Sequence, residues 1–243
     1  MRLSKITVSG ANEFTDAQAL VALCEKHCLS EIGIQVSGDK AYFGSARYWW
    51  IWALCSLASR HLQIALHLNK DWAEDFCDGK IPTEVQTLLH YFPVIRTIQL
   101  NFKIGREKTP DLNLLLNTME KCYPRQFILS YNDSNRDFIL QLYKTGFKFA
   151  CLFDNSFGEG IIPDTRPAPA FPDIYQGYAG GLSPDNIVTE LDKIRKVIPS
   201  DTEFFIDAEG KLKGPDGHFS LEKCKLFLER ATEWAYRDSV FNR

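Results

Sequence analysis

Short runs of β-branched and apolar residues recur eight times along the chain, and most of the gaps between them carry the 3.6-residue period of an amphipathic helix. The runs are Lys5 to Ser9, Glu31 to Ser37, Gln63 to Asn69, Arg96 to Asn101, Gln126 to Tyr131, Phe149 to Asp154, Ile174 to Ala179 and Glu203 to Asp207. Helical periodicity occupies Asp16 to Cys28, Ala46 to Ser59, Pro82 to Phe92, Asp111 to Cys122, Asn135 to Lys144 and Pro184 to Ile198. Start signals support the segmentation: Thr15, Thr109, Ser134 and Ser183 each stand where a helix cap is needed, and Pro110 and Pro184 suit a first turn. Eight strand–helix units in 243 residues leave about 30 residues each, the size of a βαβ unit. Parallel strands joined by right-handed crossovers can close on themselves, so the pattern predicts an α/β chain forming a single (β/α)8 TIM barrel over residues 1–243. A doubly wound open sheet is the competing architecture. It would use five or six strands, and no Gly-x-Gly-x-x-Gly follows the first one. The sixth helical segment is expected to be shortened or irregular: Asn155 to Pro172 contains Gly158, Gly160, Pro163, Pro167, Pro169 and Pro172, and reads as a long loop on the active face.

Composition narrows the partners. With 28 basic against 31 acidic residues, a net charge of -3 and no Lys/Arg block, the chain lacks the footprint of a protein that neutralises many phosphates. Nucleic acid and anionic membrane are therefore not expected as partners. The longest apolar region, Trp49 to Ala58, is interrupted by Ser56 and far short of the roughly 20 residues that a spanning helix needs. The first residues do not read as a signal peptide. Seven cysteines, with no Cys-x-x-Cys pair, suggest reduced, buried thiols, and the expected location is the cytoplasm.

In a barrel of this kind the chemistry gathers at the C-terminal ends of the strands. The residues so placed are Ser9, Ser37, Asn69, Asn101, Asn132, Asp154, Gly180 and Asp207, a polar set beside strand bodies that read as apolar. The sharpest motif is Tyr178-Ala179-Gly180-Gly181-Leu182-Ser183-Pro184-Asp185-Asn186. Paired glycines let backbone amides approach an anion, and a following helix N-terminus adds partial positive charge. Asp207-Ala208-Glu209-Gly210 would supply the second loop of a phosphate site; the competing reading is a tight turn before a capped helix.

Gly180 to Ile187, read as GGLSPDNI, resembles the Gly-Gly-Leu-Asn-Pro-Glu-Asn-Val segment of phosphoribosylanthranilate isomerases. The resemblance extends to Lys5-Ile6-Thr7-Val8-Ser9-Gly10 with Phe14 to Ala17, to Gln99-Leu100-Asn101, to Leu152-Phe153-Asp154, and to the final helix, Ser220 to Ala231. It implies a divergent member of a cofactor-free, metal-free barrel family of tryptophan biosynthesis that turns an aminoaldose phosphate into an aminoketose by Amadori rearrangement. By resemblance, Asp154 is the acid that opens the ribose ring, Ser9 occupies the position of the family's basic cysteine, and Gly180, Gly181, Gly210 and Asn101 border the substrate and its phosphate. Ser9 is a departure, because a serine hydroxyl is too weakly acidic to be a standing base without a positioned partner. Ala208 and Glu209 replace serines of the phosphate loop. Lys40 is the nearest counterpart of the arginine after the second strand, a point charge where the family has a fork. Glu209, if it faces inward, is an alternative base for a related isomerisation or lyase reaction. The alternative function is a barrel that has lost this chemistry and binds a ligand or a partner protein.

The remaining candidates read as structural. Cys24 and Cys28, at i and i+4, are expected to share a core face while His27 points elsewhere; a metal site is not expected. Of His61 and His67, only His67 is placed to reach the lumen, most simply as a hydrogen-bonded structural residue. The helix carrying Tyr48 to Trp52 is too bulky to bury all three tryptophans against its own barrel. A homodimer patch is one expectation and cover by the C-terminal segment with Trp234 and Tyr236 the other. The expected ligand is a small phosphorylated or acidic metabolite.

Overall fold

The computed structural model describes residues 1–102, 104, 109–154 and 162–241. Eight strands, β1 (Arg2–Ser9), β2 (Ser30–Val36), β3 (Gln63–Asn69), β4 (Ile95–Asn101), β5 (Gln126–Tyr131), β6 (Ala150–Phe153), β7 (Tyr175–Tyr178) and β8 (Glu203–Ala208), pair in chain order. Every neighbouring pair is parallel, and β8 returns to β1 with Thr7 opposite Asp207, closing the barrel. The open-sheet alternative is thereby excluded.

Helices α1 (Ala17–Cys24), α2 (Ala46–Leu57), α3 (Asp71–Cys77), α4 (Thr83–Tyr91), α5 (Leu112–Lys121), α6 (Arg136–Lys144), α7 (Ile187–Arg195) and α8 (Leu221–Phe241) surround it. The short α3 was not anticipated, since Asp71 to Cys77 offers less than two turns of period. No helix is found among the described residues between β6 and β7, and 155–161 of the expected loop lie outside them. None of the described helices is long and apolar enough to cross a membrane.

All four expected caps move further along the chain. Asp16, not Thr15, accepts from Ala19 N at 3.0 Å, and Asp111 rather than Thr109 accepts from Asn113 and Leu114. Their carboxylates sit at the residue where the backbone is still extended, which is where a side chain can reach the free amides. Asn135 and Asn186 begin α6 and α7 in place of Ser134 and Ser183, and neither caps through its side chain.

Alternate residues of each strand face the helices, and there Ile6, Val8, Ile32, Ile34, Leu66 and Ile98 build the main core with the inward helix stripes. The lumen is different. Lys5 Nζ lies 3.1 Å from Glu31, whose carboxylate also accepts from Thr7 Oγ1 at 2.9 Å and Thr97 Oγ1 at 2.6 Å. Lys5 further donates to Gln126 Oε1 at 3.3 Å and stands 4.9 Å from the Phe205 ring centre. The strand bodies are therefore not apolar on both faces; only a small cluster of Ile128, Ala150, Leu152, Ala179 and Phe205 fills the other side of the lumen. Gly177 makes room for that packing, since a Cβ there would meet the Phe205 ring at 2.1 Å.

The tryptophans of α2 divide. Trp50 is buried and donates to Thr15 O at 2.7 Å, Trp52 packs edge-on against Phe92 with ring centres 4.7 Å apart, and Trp49 remains 58% exposed. Trp234 does not cover them: it donates to Asp192 and lies against Phe204 on the α7–α8 side. Cys24 ends α1, so Cys28 falls beyond the helix and is exposed rather than sharing its buried face; Cys24 instead meets Cys224 of α8.

Candidate active site at the mouth of the barrel

The C-terminal ends of the strands open into a cavity of about 150 Å³ whose lining includes Asp154, Gly180, Gly181, Asp207, Glu209 and Gly210. The sixth, seventh and eighth strand tips thus share one mouth, whereas no residue of the first strand is part of its lining. Ser9 reaches it through Asp207: its Oγ donates to Asp207 Oδ1 at 2.7 Å, and both side chains are buried. Burial pushes the Asp207 carboxyl up to about 7, the negative charges of Glu31 and Asp154 push the same way, and the Ser9 hydrogen bond and Lys5 oppose them. A carboxyl held there exchanges protons near neutrality, which is what a general acid or base needs.

Glu209 faces the cavity and is half-buried. Desolvation and the Asp207 charge raise its pKa above the ordinary carboxylate range.

His67 lies in the lumen, 2% exposed, and its Nε2 has no partner among the described residues. Desolvation pushes its imidazole down to about 4, so it is neutral at physiological pH. Gly33 is what allows the arrangement. A Cβ at that position would lie 2.4 Å from Ser9 Oγ and 2.7 Å from the imidazole, so the serine and the histidine close over the same bare backbone from opposite sides.

Gln35, His67 and Gln99 stand side by side in the strand register, and all three line the cavity. Beyond them Asn101 accepts from Gln99 Nε2 at 3.1 Å and from Ser130 Oγ at 3.3 Å, and donates to Asn69 Oδ1 at 3.0 Å. Gln99 Oε1, like His67 Nε2, is buried without a partner among the described residues.

Gly180 and Gly181 both take positive φ, +84° and +67°, a conformation that other residues adopt only at a cost. Their loop is held from behind. Arg166 donates to Ala179 O at 2.5 Å and to Gly180 O at 3.2 Å, Asn186 Nδ2 donates to Gly181 O at 2.9 Å, and the buried Glu190 pairs with Arg166 at 2.7 Å. No hydrogen bond among the described residues takes up the N–H groups of Gly180 or Gly181. The helix that follows starts at Ile187, three residues later than the sequence suggests. Gly210 opens a single 3-10 turn, Gly210–Leu212, and Lys211 adds a cation to the rim.

Asp154, Ser9, Gly180, Gly181, Gly210, Asn101 and Glu209 are thus gathered at one mouth, Ser9 through its bond to Asp207. Lys40 is not: it is exposed and absent from the cavity lining. What sequence reasoning missed is the role of Asp207 as the acidic partner of Ser9, of His67 and Gln99 as unsatisfied polar groups, and of Arg166 as the brace of the glycine loop. Only Gly33, a bare residue inside an otherwise bulky strand, carried a local signal. Larger hollows, of about 750 and 610 Å³, lie away from the mouth, lined by residues such as Tyr123, Arg125 and Phe149, or Lys80, His90 and Lys121. Among the described residues no group of three or more His, Cys, Asp or Glu side chains is arranged to hold a metal ion.

No family model matches the chain, and no curated protein matches it. Solved structures do. The spore coat polysaccharide biosynthesis protein spsE of Bacillus subtilis is 13% identical with a TM-score of 0.61, covering 99% of this chain and 70% of that one. The phospho-2-dehydro-3-deoxyheptonate aldolase (DAHP synthase) of Thermotoga maritima is 12% identical with a TM-score of 0.57, covering 98% and 69%. KGPDC of Streptococcus mutans is 12% identical with a TM-score of 0.52, covering 96% and 99%. Likeness at this identity shows the (β/α)8 barrel and nothing of the reaction.

Proposed function

We propose that this barrel is a divergent relative of the phosphoribosylanthranilate isomerases that carries out proton-transfer chemistry of the aldose–ketose type on a small phosphorylated or acidic metabolite. The observation that carries the proposal is Asp207, a buried carboxyl held near 7 and bonded to Ser9 in the cavity that also receives Asp154 and the paired glycines.

Ser9 stands where the related enzymes have a thiol base, and its hydroxyl alone would not remove a carbon-bound proton. Its partner answers that objection. Asp154, in its protonated form, protonates the ring oxygen so that the ring opens to the imine; ionised Asp207, held in position by the Ser9 hydroxyl that donates to it, then takes the proton from C2 and leaves an enolamine that tautomerises to the ketose. Proton transfer of this kind contributes about 10²- to 10⁴-fold to rate. The amides of Gly180 and Gly181, which no described residue takes up, face the anionic end of the substrate with Lys211 at the rim.

The test is turnover of phosphoribosylanthranilate, followed by loss of its fluorescence, in the native protein and in Asp154→Ala, Asp207→Asn and Ser9→Cys. Native turnover that falls at least about 100-fold in the first two variants supports the reading. A second reading is favoured by the serine itself: a binding module whose chemistry has lapsed. Activity that appears only in Ser9→Cys, or in no form, selects it.

A further inference from the structure

The wall of the mouth opposite the glycine loop has a fixed hydrogen-bond polarity, and that polarity restricts what can lie against it. The chain of amides starts at a group that can only accept. Asn69 Nδ2 donates to the backbone carbonyl of His67 at 3.0 Å, which leaves Asn69 Oδ1 facing Asn101. Asn101 must then present its amide nitrogen, and does so at 3.0 Å, turning Oδ1 toward Gln99 and Ser130. Gln99 must in turn donate with Nε2, at 3.1 Å. Each amide has one oxygen and one nitrogen end, so the orientation propagates without a free choice from the carbonyl to the cavity. Its last member is Gln99 Oε1, an obligate acceptor that is buried and unpartnered among the described residues. In the next strand at the same register is His67, with its own buried, unpartnered Nε2.

We infer that this wall is a hydroxyl-recognition site, in which Gln99 Oε1 and His67 Nε2 together take a hydroxyl of a polyhydroxylated, phosphorylated chain. A hydroxyl donates once and accepts twice, so it donates to Gln99 Oε1 and accepts from His67 Nε2 in the tautomer that carries the proton there. An alkyl chain offers no donor and leaves a buried acceptor unpaired, which discriminates strongly against a ligand of the right size. The inference rests on the reading that the glycine loop holds the anionic end, and it assigns the part of the ligand joined to that end: a sugar chain bearing free hydroxyls. Gln99 and His67 are the specificity-determining residues, and Asn69, which is absent from the cavity lining, is a positioning residue acting through Asn101.

Calorimetric titration of the full chain with inorganic phosphate, ribulose 5-phosphate and n-pentyl phosphate tests it. The last two share a five-carbon chain and differ in their oxygens. Ribulose 5-phosphate is expected to bind more tightly than pentyl phosphate. Gln99→Met, of similar volume, should reduce that preference by roughly two- to tenfold while leaving phosphate affinity unchanged. Asn69→Leu should reduce it too, because the amides are then free to invert. Pentyl phosphate binding as tightly as ribulose 5-phosphate, or a preference unchanged in Gln99→Met, overturns the inference and leaves the glycine-loop reading standing. Binding of none of the three probes overturns that reading and the inference with it.

Discussion

Replacing Asp207 by asparagine separates two opposed pH dependences that the barrel mouth superimposes. Burial holds the Asp207 carboxyl near 7 where the ordinary value is 3.8, so across that window the folded protein keeps a proton that the unfolded chain has released. Stability therefore falls as pH rises from about 4 to about 7. At about 1.4 kcal/mol per pH unit the ceiling is about 4 kcal/mol. His67 works in the other direction. Its imidazole is held near 4 where 6.5 is ordinary, so the unfolded chain takes up a proton that the folded one refuses, and stability rises with pH across that interval. The ceiling there is about 3 kcal/mol. In the native protein the two slopes largely cancel. An amide at position 207 still accepts from Ser9 and never ionises. Its advantage over the native chain should be near zero at about pH 4 and reach about 1–4 kcal/mol at about pH 8, while its own stability climbs from about pH 4 to 6.5 with His67 no longer opposed. Glu209, whose pKa is raised by desolvation and by the Asp207 charge, keeps the first contribution in both proteins and loses the second in the variant. Urea unfolding at about pH 4, 6 and 8 measures the difference, and a ¹³C titration of the Asp207 carboxyl gives its pKa without assuming two-state unfolding. A difference that is flat across pH refutes the assignment of a buried, proton-holding carboxyl to this position.

Three further outcomes follow from the same geometry. Gly33→Ala places a methyl 2.4 Å from Ser9 Oγ and 2.7 Å from His67; overpacking of this kind costs about 1–3 kcal/mol, and the thermal midpoint should fall by several degrees, an unchanged midpoint disproving the close approach. Arg166→Met leaves the buried Glu190 with only the half-exposed Lys193, and should lose about 3 kcal/mol of stability and weaken phosphate binding, because the carbonyls of Ala179 and Gly180 lose their brace. Trp49→Ser removes an exposed ring with little effect on the fold. If α2 is a homodimer surface, light scattering will show a dimer in the native protein and a monomer in the variant, and a native monomer rules that surface out.

The strands were legible because each is a short run rich in β-branched and apolar residues, and the first also alternates. Gln63 to Asn69 and Gln126 to Tyr131 match the observed bounds at both ends, and none of the other strands is displaced by more than three residues. What the alternation means was harder to read. In Lys5-Ile6-Thr7-Val8-Ser9 the apolar residues face the helices and the polar ones the lumen, so the period that marks the strand also hides a charged interior. The α3 helix and the single-residue shifts of the caps at Asp16 and Asn135 lie below the resolution of periodicity, since a seven-residue helix shows less than two turns and adjacent Thr-Asp or Ser-Asn pairs both satisfy the cap preference.

The site was legible only as separate fragments, for a physical reason. Ser9 and Asp207 are 198 residues apart, and nothing in either neighbourhood says that one will hydrogen-bond the other. Their meeting depends on closure of the barrel, which sets Thr7 against Asp207 in the β1–β8 ladder and so brings the tip of β1 under the tip of β8. Closure also explains the chemistry. The same desolvation that raises Asp207 toward 7 lowers His67 to about 4, so one enclosed volume turns an acid into a weak acid and a base into a neutral hydrogen-bonding group. A serine in place of a thiol looks like a lost function when read along the chain. Read across the barrel, it is the donor that orients a carboxyl whose acidity its surroundings have already adjusted, and under the proposed function the burden of proton transfer moves from β1 to β8.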